Sequence, residues 1–203
     1  MTRRPHVLIV DDELALLDLY EIWLGGLDVA ISRASCGAEA LERCHDGIDV
    51  VLLDRQMPRV SGDEVLDELR ERGLDVRVAF VSAATPDVRI TDIDIDAYLV
   101  KPVARDVYLD LVRSLLRRES LPETADRYVS ILSKRATPLE AEPRSVLRTE
   151  PAYAALEAEL SRLASRVDSR RLHDPFPRRA PPAGRRGVRH PPVPSAPYTP
   201  ARC

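Results

Sequence analysis

Apolar residues in the first 118 positions fall into short blocks, two of them interrupted by a single charge (Asp49, Arg77), separated by stretches where they recur at helical spacing. The blocks are Val7-Leu8-Ile9-Val10, Val29-Ala30-Ile31, Ile48 to Leu53, Val76 to Val81 and Ala97-Tyr98-Leu99-Val100. An unbroken β-branched run, rather than alternation, is the pattern of a strand covered on both faces, and it argues for a parallel sheet. Between the blocks, Leu14, Leu17 and Trp23, with Leu16, Leu19 and Ile22, keep helical spacing until Gly25-Gly26 ends the helix. A short helix is expected over Gly37 to Cys44, with Ala38, Ala40 and Leu41. Another starts near Ser61, with Val65, Leu66 and Leu69 at core spacing, and Gly73 stops it. Thr85-Pro86 reads as an N-cap followed by proline at the first helical position. Val107, Leu111, Val112, Leu115 and Leu116 line a fifth helix. Strand–helix alternation of this kind implies parallel strands joined by right-handed crossovers, so the prediction is a five-stranded, doubly wound α/β sheet.

In such a sheet the chemistry gathers beyond the carboxyl ends of the strands, near the topological switch point. The side chains delivered there are Asp11 and Asp12, Asp54, Ser82 and Lys101. Alone, Asp54 would be an ordinary polar turn residue, and Asp11 or Asp12 a helix N-cap. Two adjacent carboxylates are harder to dismiss, because their repulsion must be offset by a cation. No histidine accompanies Ser82 at a comparable strand end, since His6 and His45 fall elsewhere, so a hydrolase triad is a poor fit. Phosphoryl transfer fits better. A carboxylate can act as nucleophile and become an acyl phosphate, while a hard divalent cation and a positive side chain neutralise the transferring group. Mg²⁺ takes oxygen ligands and keeps waters, so carboxylates and a backbone carbonyl suffice.

Charge is unevenly spread. Residues 1–120 hold 24 acidic against 15 basic side chains, whereas residues 173–203 hold 1 against 6. An acidic globular part with a basic tail suggests two separate roles. Lys101 and Lys134 are the only lysines, every other basic residue being Arg, which singles out Lys101. Cys36, Cys44 and Cys203 are too widely spaced for a zinc site. Met1-Thr2-Arg3-Arg4-Pro5 leads straight into a strand, and no apolar run approaches the ~20 residues that span a bilayer. The reading is a cytoplasmic protein that makes no membrane contact.

Taken together, the acidic pair Asp11-Asp12, Asp54-x-x-Met57-Pro58-x-x-x-Gly62, Ser82-Ala83 and Tyr98-Leu99-Val100-Lys101-Pro102 resemble the receiver domain of two-component response regulators, a flavodoxin-like fold, over residues 6–118. The resemblance implies that Asp54 accepts phosphate from a histidine kinase, with no enzymatic activity beyond self-phosphorylation and autodephosphorylation. It implies Mg²⁺ held by Asp11, Asp12, Asp54 and the carbonyl of Gln56, and a switch pair, Ser82 and Tyr98, in which a hydroxyl moves toward the phosphoryl group and the ring turns inward. Lys101 would contact the phosphate, Pro102 would follow on a cis bond, and Pro58 and Gly62 would shape the turn. The stretch Asp92-Ile93-Asp94-Ile95-Asp96 departs from the commoner family pattern, so partner choice and dimer mode do not carry over.

Beyond the receiver (residues 1–118), Ser120-Leu121-Pro122-Glu123 has capping-box spacing, and Leu121, Ala125, Tyr128 and Leu132 step by four, three and four. Tyr153, Leu156, Leu160, Leu163 and Val167 form an a/d seam flanked by Glu157, Glu159, Arg162 and Arg166. Two such helices predict a hairpin, or one face of a homodimer. Residues 119–172 are similar to the HalX domain that follows receivers in halophilic archaea. Residues 173–203, with nine Pro and six Arg, are expected to be a disordered tail able to bind nucleic acid electrostatically or simply to stay solvated. The expected function is therefore a phosphorelay switch with a helical effector regulating transcription. The alternatives are a phospho-dependent interaction adaptor that binds no DNA, favoured by the lack of an evident helix-turn-helix, and an aspartyl phosphatase. The last is disfavoured because Asp54-Arg55-Gln56-Met57-Pro58 lacks the second Asp and the Thr of those enzymes' motif.

Overall fold

The apolar strands are buried on both faces because neighbouring residues along each one feed different cores. The computed structural model describes residues 3–84, 93–118, 124–125, 127–128, 130–131 and 151–164. Its strands are β1 (His6–Val10), β2 (Ala30–Ala34), β3 (Val50–Leu53), β4 (Arg77–Ser82) and β5 (Ala97–Val100). They form one sheet in the order β2-β1-β3-β4-β5 with every pairing parallel. Leu8, Val10, Val51, Leu53, Val78 and Phe80 face one core, completed by α2 (Gly37–Arg43) and α3 (Gly62–Glu71). Val7, Ile9, Val50, Leu52, Ala79 and Val81 face the other, completed by α1 (Leu14–Leu24) and α4 (Arg105–Arg118). The five-stranded doubly wound sheet is thus as the hydrophobic pattern predicts. The helix expected from Thr85-Pro86 lies outside the described residues.

Two details differ from the pattern. Strand β2 runs to Ala34, three residues past the apolar block, because its backbone pairs with β1 in register from His6–Ala30 to Val10–Ala34 whatever the side chains. In α1 the buried residues are Leu17, Tyr20 and Leu24. Leu14, Leu19 and Ile22 are exposed, Ile22 by 67%, because the sheet covers only one stripe of a helix that is apolar nearly all round.

After α4, residues 124, 125, 127, 128, 130 and 131 are helical, and a further helix, α5, spans Pro151–Ala164. Ile131, Leu156 and Leu160 form a small core with Tyr128 and Leu163. Of the expected first stripe Tyr128 is in it, Ile131 was not among the expected residues, and Leu121 and Leu132 lie outside the described residues. Val167 of the expected seam, the capping box at Ser120 and the whole tail from 173 lie outside the described residues. Among the described residues no helix is long and apolar enough to cross a membrane.

The β3–α3 turn shows how local sequence fixes the floor beneath Asp54. Ser61 caps α3 in a full capping box: its hydroxyl accepts from the Glu64 amide, and the Glu64 carboxylate accepts from the Ser61 amide. The Gly62 amide donates to the Arg55 carbonyl at 2.9 Å, which folds the turn against the strand end. A methyl group on Gly62 would sit 2.7 Å from Arg55 Cα and run into the Asp54 carbonyl oxygen. Gly62→Ala should therefore lower stability by about 1–3 kcal/mol through backbone displacement, and Ser61→Ala by about 1 kcal/mol. Urea unfolding of the two variants measures both. An unchanged midpoint for Gly62→Ala would show that the turn yields freely.

Candidate functional site

Backbone ladders that outlast the strands set the positions of the site residues. The Asp11 amide donates to Ala34 O, the Asp54 amide to Val10 O and the Lys101 amide to Ser82 O, at 3.1, 2.9 and 2.9 Å. Each residue is therefore pinned one position past its strand, at the carboxyl rim of the sheet. Asp11 and Asp54 are almost fully buried, Asp12 is exposed, and Ser82 has no exposure at all. The Lys101–Pro102 peptide bond is cis.

The two buried aspartates are held in matching ways. One oxygen of Asp11 accepts from the Glu13 amide at 3.0 Å, and one oxygen of Asp54 accepts from the Gln56 amide at 3.0 Å. The second oxygen of each accepts from the Lys101 ammonium, at 2.8 Å for Asp11 and 2.6 Å for Asp54. Asp11, Asp12 and Asp54 together can present three carboxylate oxygens within 4.8 Å of one another, a hard-oxygen donor set that suits a divalent cation. Among the described residues one ammonium, paired with Asp11 and Asp54, stands against three carboxylates, which leaves the pocket short of positive charge. Burial pushes the Asp11 carboxyl above its ordinary range, against the downward pull of Lys101 and the Glu13 amide. Burial also works to lower the Lys101 ammonium, but the two carboxylates outweigh it and hold the group at about 12.

Ser82 and Tyr98 meet at Ala84. The Ala84 amide reaches the Ser82 hydroxyl at 3.4 Å, and the Tyr98 hydroxyl donates to Ala84 O at 2.6 Å. The Tyr98 ring is buried in a T-shaped contact with Phe80 at 6.0 Å between centroids, and burial raises its phenol above the ordinary value. Pro58 is exposed, and its carbonyl accepts the Val60 amide. Met57 fills the core beneath the turn.

Sequence reasoning passed over Arg55, whose side chain pairs with Asp63 at 2.8 Å, lies 5.9 Å over the Phe80 ring and acts on the Tyr98 hydroxyl. Its place beside Asp54 was the available signal, but nothing in the spacing tied it to residue 98. Tyr20 and Tyr108 were passed over as well. Their rings stack at 4.5 Å between α1 and α4, and both feel the Asp11 charge.

A doubly wound sheet with three carboxylates and a lysine at its carboxyl rim is an arrangement of the receiver class, and comparison shows the family. Residues 7–113 match the response regulator receiver domain family, and the chain belongs to it. It is similar to a Haloferax volcanii protein described as a transcriptional regulator, with 44% identity over 154 residues covering 76% of this chain and 26% of that one. It is 38% identical over 121 residues to the transcriptional regulatory protein CutR of Streptomyces coelicolor, covering 58% of this chain and 56% of CutR. The chain thus spans about a quarter of the first relative's length and about half of the second's. The receiver domain of Francisella response regulator 1452 superposes with a TM-score of 0.53 at 25% identity, covering 58% of this chain and all of that one. The CheX–CheY–BeF3–Mg complex of Borrelia burgdorferi gives 0.52 at 28%, covering 55% and 89%.

Removing the lysine tests the electrostatics of the pocket. Lys101→Met leaves two buried carboxylates facing each other and should cost about 3–5 kcal/mol at neutral pH. The folded ammonium, at about 12, lies above its unfolded value of 10.5, so its contribution is complete below 10.5 and fades as pH rises through 12. Denaturant titrations should therefore show a gap between wild type and variant that is constant from pH 8 to 10 and closes above 11. A gap that instead widens in alkali would contradict this account.

Proposed function

We propose that the chain is the phosphoryl-accepting switch of a two-component system, with Asp54 as acceptor and the phosphohistidine of a histidine kinase as donor. The observation that carries this reading is the Lys101 ammonium held between Asp11 and Asp54, beside the exposed rim carboxylate of Asp12. Asp11, Asp12 and Asp54, with the carbonyl of Gln56, would hold Mg²⁺. Bound there, the ion supplies charge that neutralises the equatorial oxygens of the transferring group. An oxygen of Asp54 attacks phosphorus, the bond from phosphorus to the donor nitrogen breaks, and the imidazole takes up a proton. Lys101 turns from the carboxylates to the phosphoryl oxygens, and Ser82 leaves the Ala84 amide to hydrogen-bond the same group.

The output is proposed to lie in residues 119–172 as a HalX-like helical effector acting on transcription, a reading supported by the descriptions of the Haloferax and Streptomyces relatives. The adaptor reading keeps one observation in its favour: Arg127, though exposed, has its charge engaged by Glu159 and does not stand in an open basic face. A homodimer and a DNA contact by the 173–203 tail complete the proposed partners, each to be read from light scattering and from DNA binding across a salt series.

With Mg²⁺ and acetyl phosphate, intact mass should show one added phosphoryl group on the wild type and none on Asp54→Asn. Asp11→Asn should slow incorporation by about 10²-fold through loss of electrostatic stabilisation. Equal labelling of Asp54→Asn would place the acceptor elsewhere.

A further inference from the structure

The helical segment after α4 is fastened to the receiver at the rim opposite the acidic pocket. Its anchor is the turn 93–96, which leads into β5. The Asp96 amide donates to Val78 O at 2.7 Å and its carboxylate accepts the Val78 amide at 2.9 Å, so the turn is riveted to the start of β4. Arg70 of α3 holds the Asp94 carbonyl at 2.9 Å and its carboxylate at 3.0 Å. On this platform sits the post-receiver helix. The buried Ser130 hydroxyl donates to Ile95 O at 3.2 Å, and Arg127 forks onto both oxygens of Glu159 in α5 while lying 4.0 Å from Asp94. Arg70, Arg77, Asp94, Asp96, Arg127 and Ser130 surround a cleft of about 540 Å³ at this junction.

The same turn is tied to the switch. Ile95 and Tyr98 belong to one core, and Tyr98 lies two residues along the chain from Asp96. Its ring is already turned inward and its hydroxyl already holds Ala84, the residue that Ser82 also contacts. The docked helix therefore coexists with inward Tyr98. Because Ile95 and Tyr98 pack in that one core, a ring that swung outward would empty space beside Ile95 and disturb the turn that Ser130 and Arg127 grip.

We propose that this junction, Ser130 on Ile95 and Arg127 between Asp94 and Glu159, is the latch through which the receiver governs its helical segment, closed when Tyr98 is inward and loosened when it is not. The proposal rests on Asp54 being the phosphoryl acceptor. A group on Asp54 that favours inward Tyr98 then tightens the latch, and by linkage a broken latch must weaken binding of that group. A coupling of ordinary size corresponds to roughly 5-fold or more in affinity.

The test uses the full chain, Mg²⁺ and beryllofluoride, a phosphoryl mimic, with affinity measured by calorimetry. Arg127→Ala and Ser130→Ala, both remote from the pocket, should each weaken beryllofluoride binding about 5-fold or more while circular dichroism shows the receiver intact. In the wild type, beryllofluoride should slow amide exchange in 124–131 and 151–164. Unchanged or tighter affinity in both variants, or exchange in those segments indifferent to the mimic, overturns the latch. If wild type binds no beryllofluoride and Asp54 takes no phosphoryl group, the acceptor assignment has failed instead, and the two failures are distinguishable.

Discussion

The structure depends on one ammonium held between two buried carboxylates. Without Lys101, Asp11 and Asp54 would face each other across a few ångströms of low-dielectric interior, where like charges are costly and one of the pair would be driven to take up a proton. With it, both stay pinned, each also bound by a backbone amide two residues along. The balance is incomplete by design of the sequence, since Asp12 adds a third carboxylate at the exposed lip. A pocket left short of positive charge is one that a divalent cation stabilises, and one in which a lysine can be drawn from carboxylates toward an arriving anion.

That arrangement is a consequence of parallel strands. Every strand ends at the same rim, so residues at 11, 54, 82 and 101 meet although the chain between them is long. The opposite rim collects the strand beginnings, and there the turn 93–96 carries the helix that follows the receiver. The proposed input and the proposed output therefore occupy opposite ends of one sheet. The inward ring of Tyr98, in the last strand, is the element that touches both the Ser82–Ala84 turn and the core beneath Ile95.

Much of the site was legible because its residues follow apolar blocks that can be nothing but buried strands. Asp11-Asp12, Asp54, Ser82 and Lys101 each stand directly after such a block or close it, and the doubly wound topology brings them together. Arg55, Tyr20 and Tyr108 were not legible. Arg55 reaches Asp63 and acts on Tyr98 through the fold of one turn, and the two tyrosines sit at positions where any large apolar residue would satisfy the helical pattern. The contacts of Arg127 and Ser130 with the 93–96 turn were equally invisible, because a heptad stripe records what a helix buries and says nothing of which polar neighbours its flank will meet.

The sequence by itself determined the fold class, the sheet's strands and the identity of the acidic pocket, since periodicity and strand-end chemistry are local properties that parallel pairing converts into one site. Only the tertiary structure decided which carboxylate oxygens share the lysine, that Tyr98 lies inward on Ala84, and that the post-receiver helix is fastened beneath the sheet. Those depend on distances between residues far apart in the chain, and no local pattern encodes them.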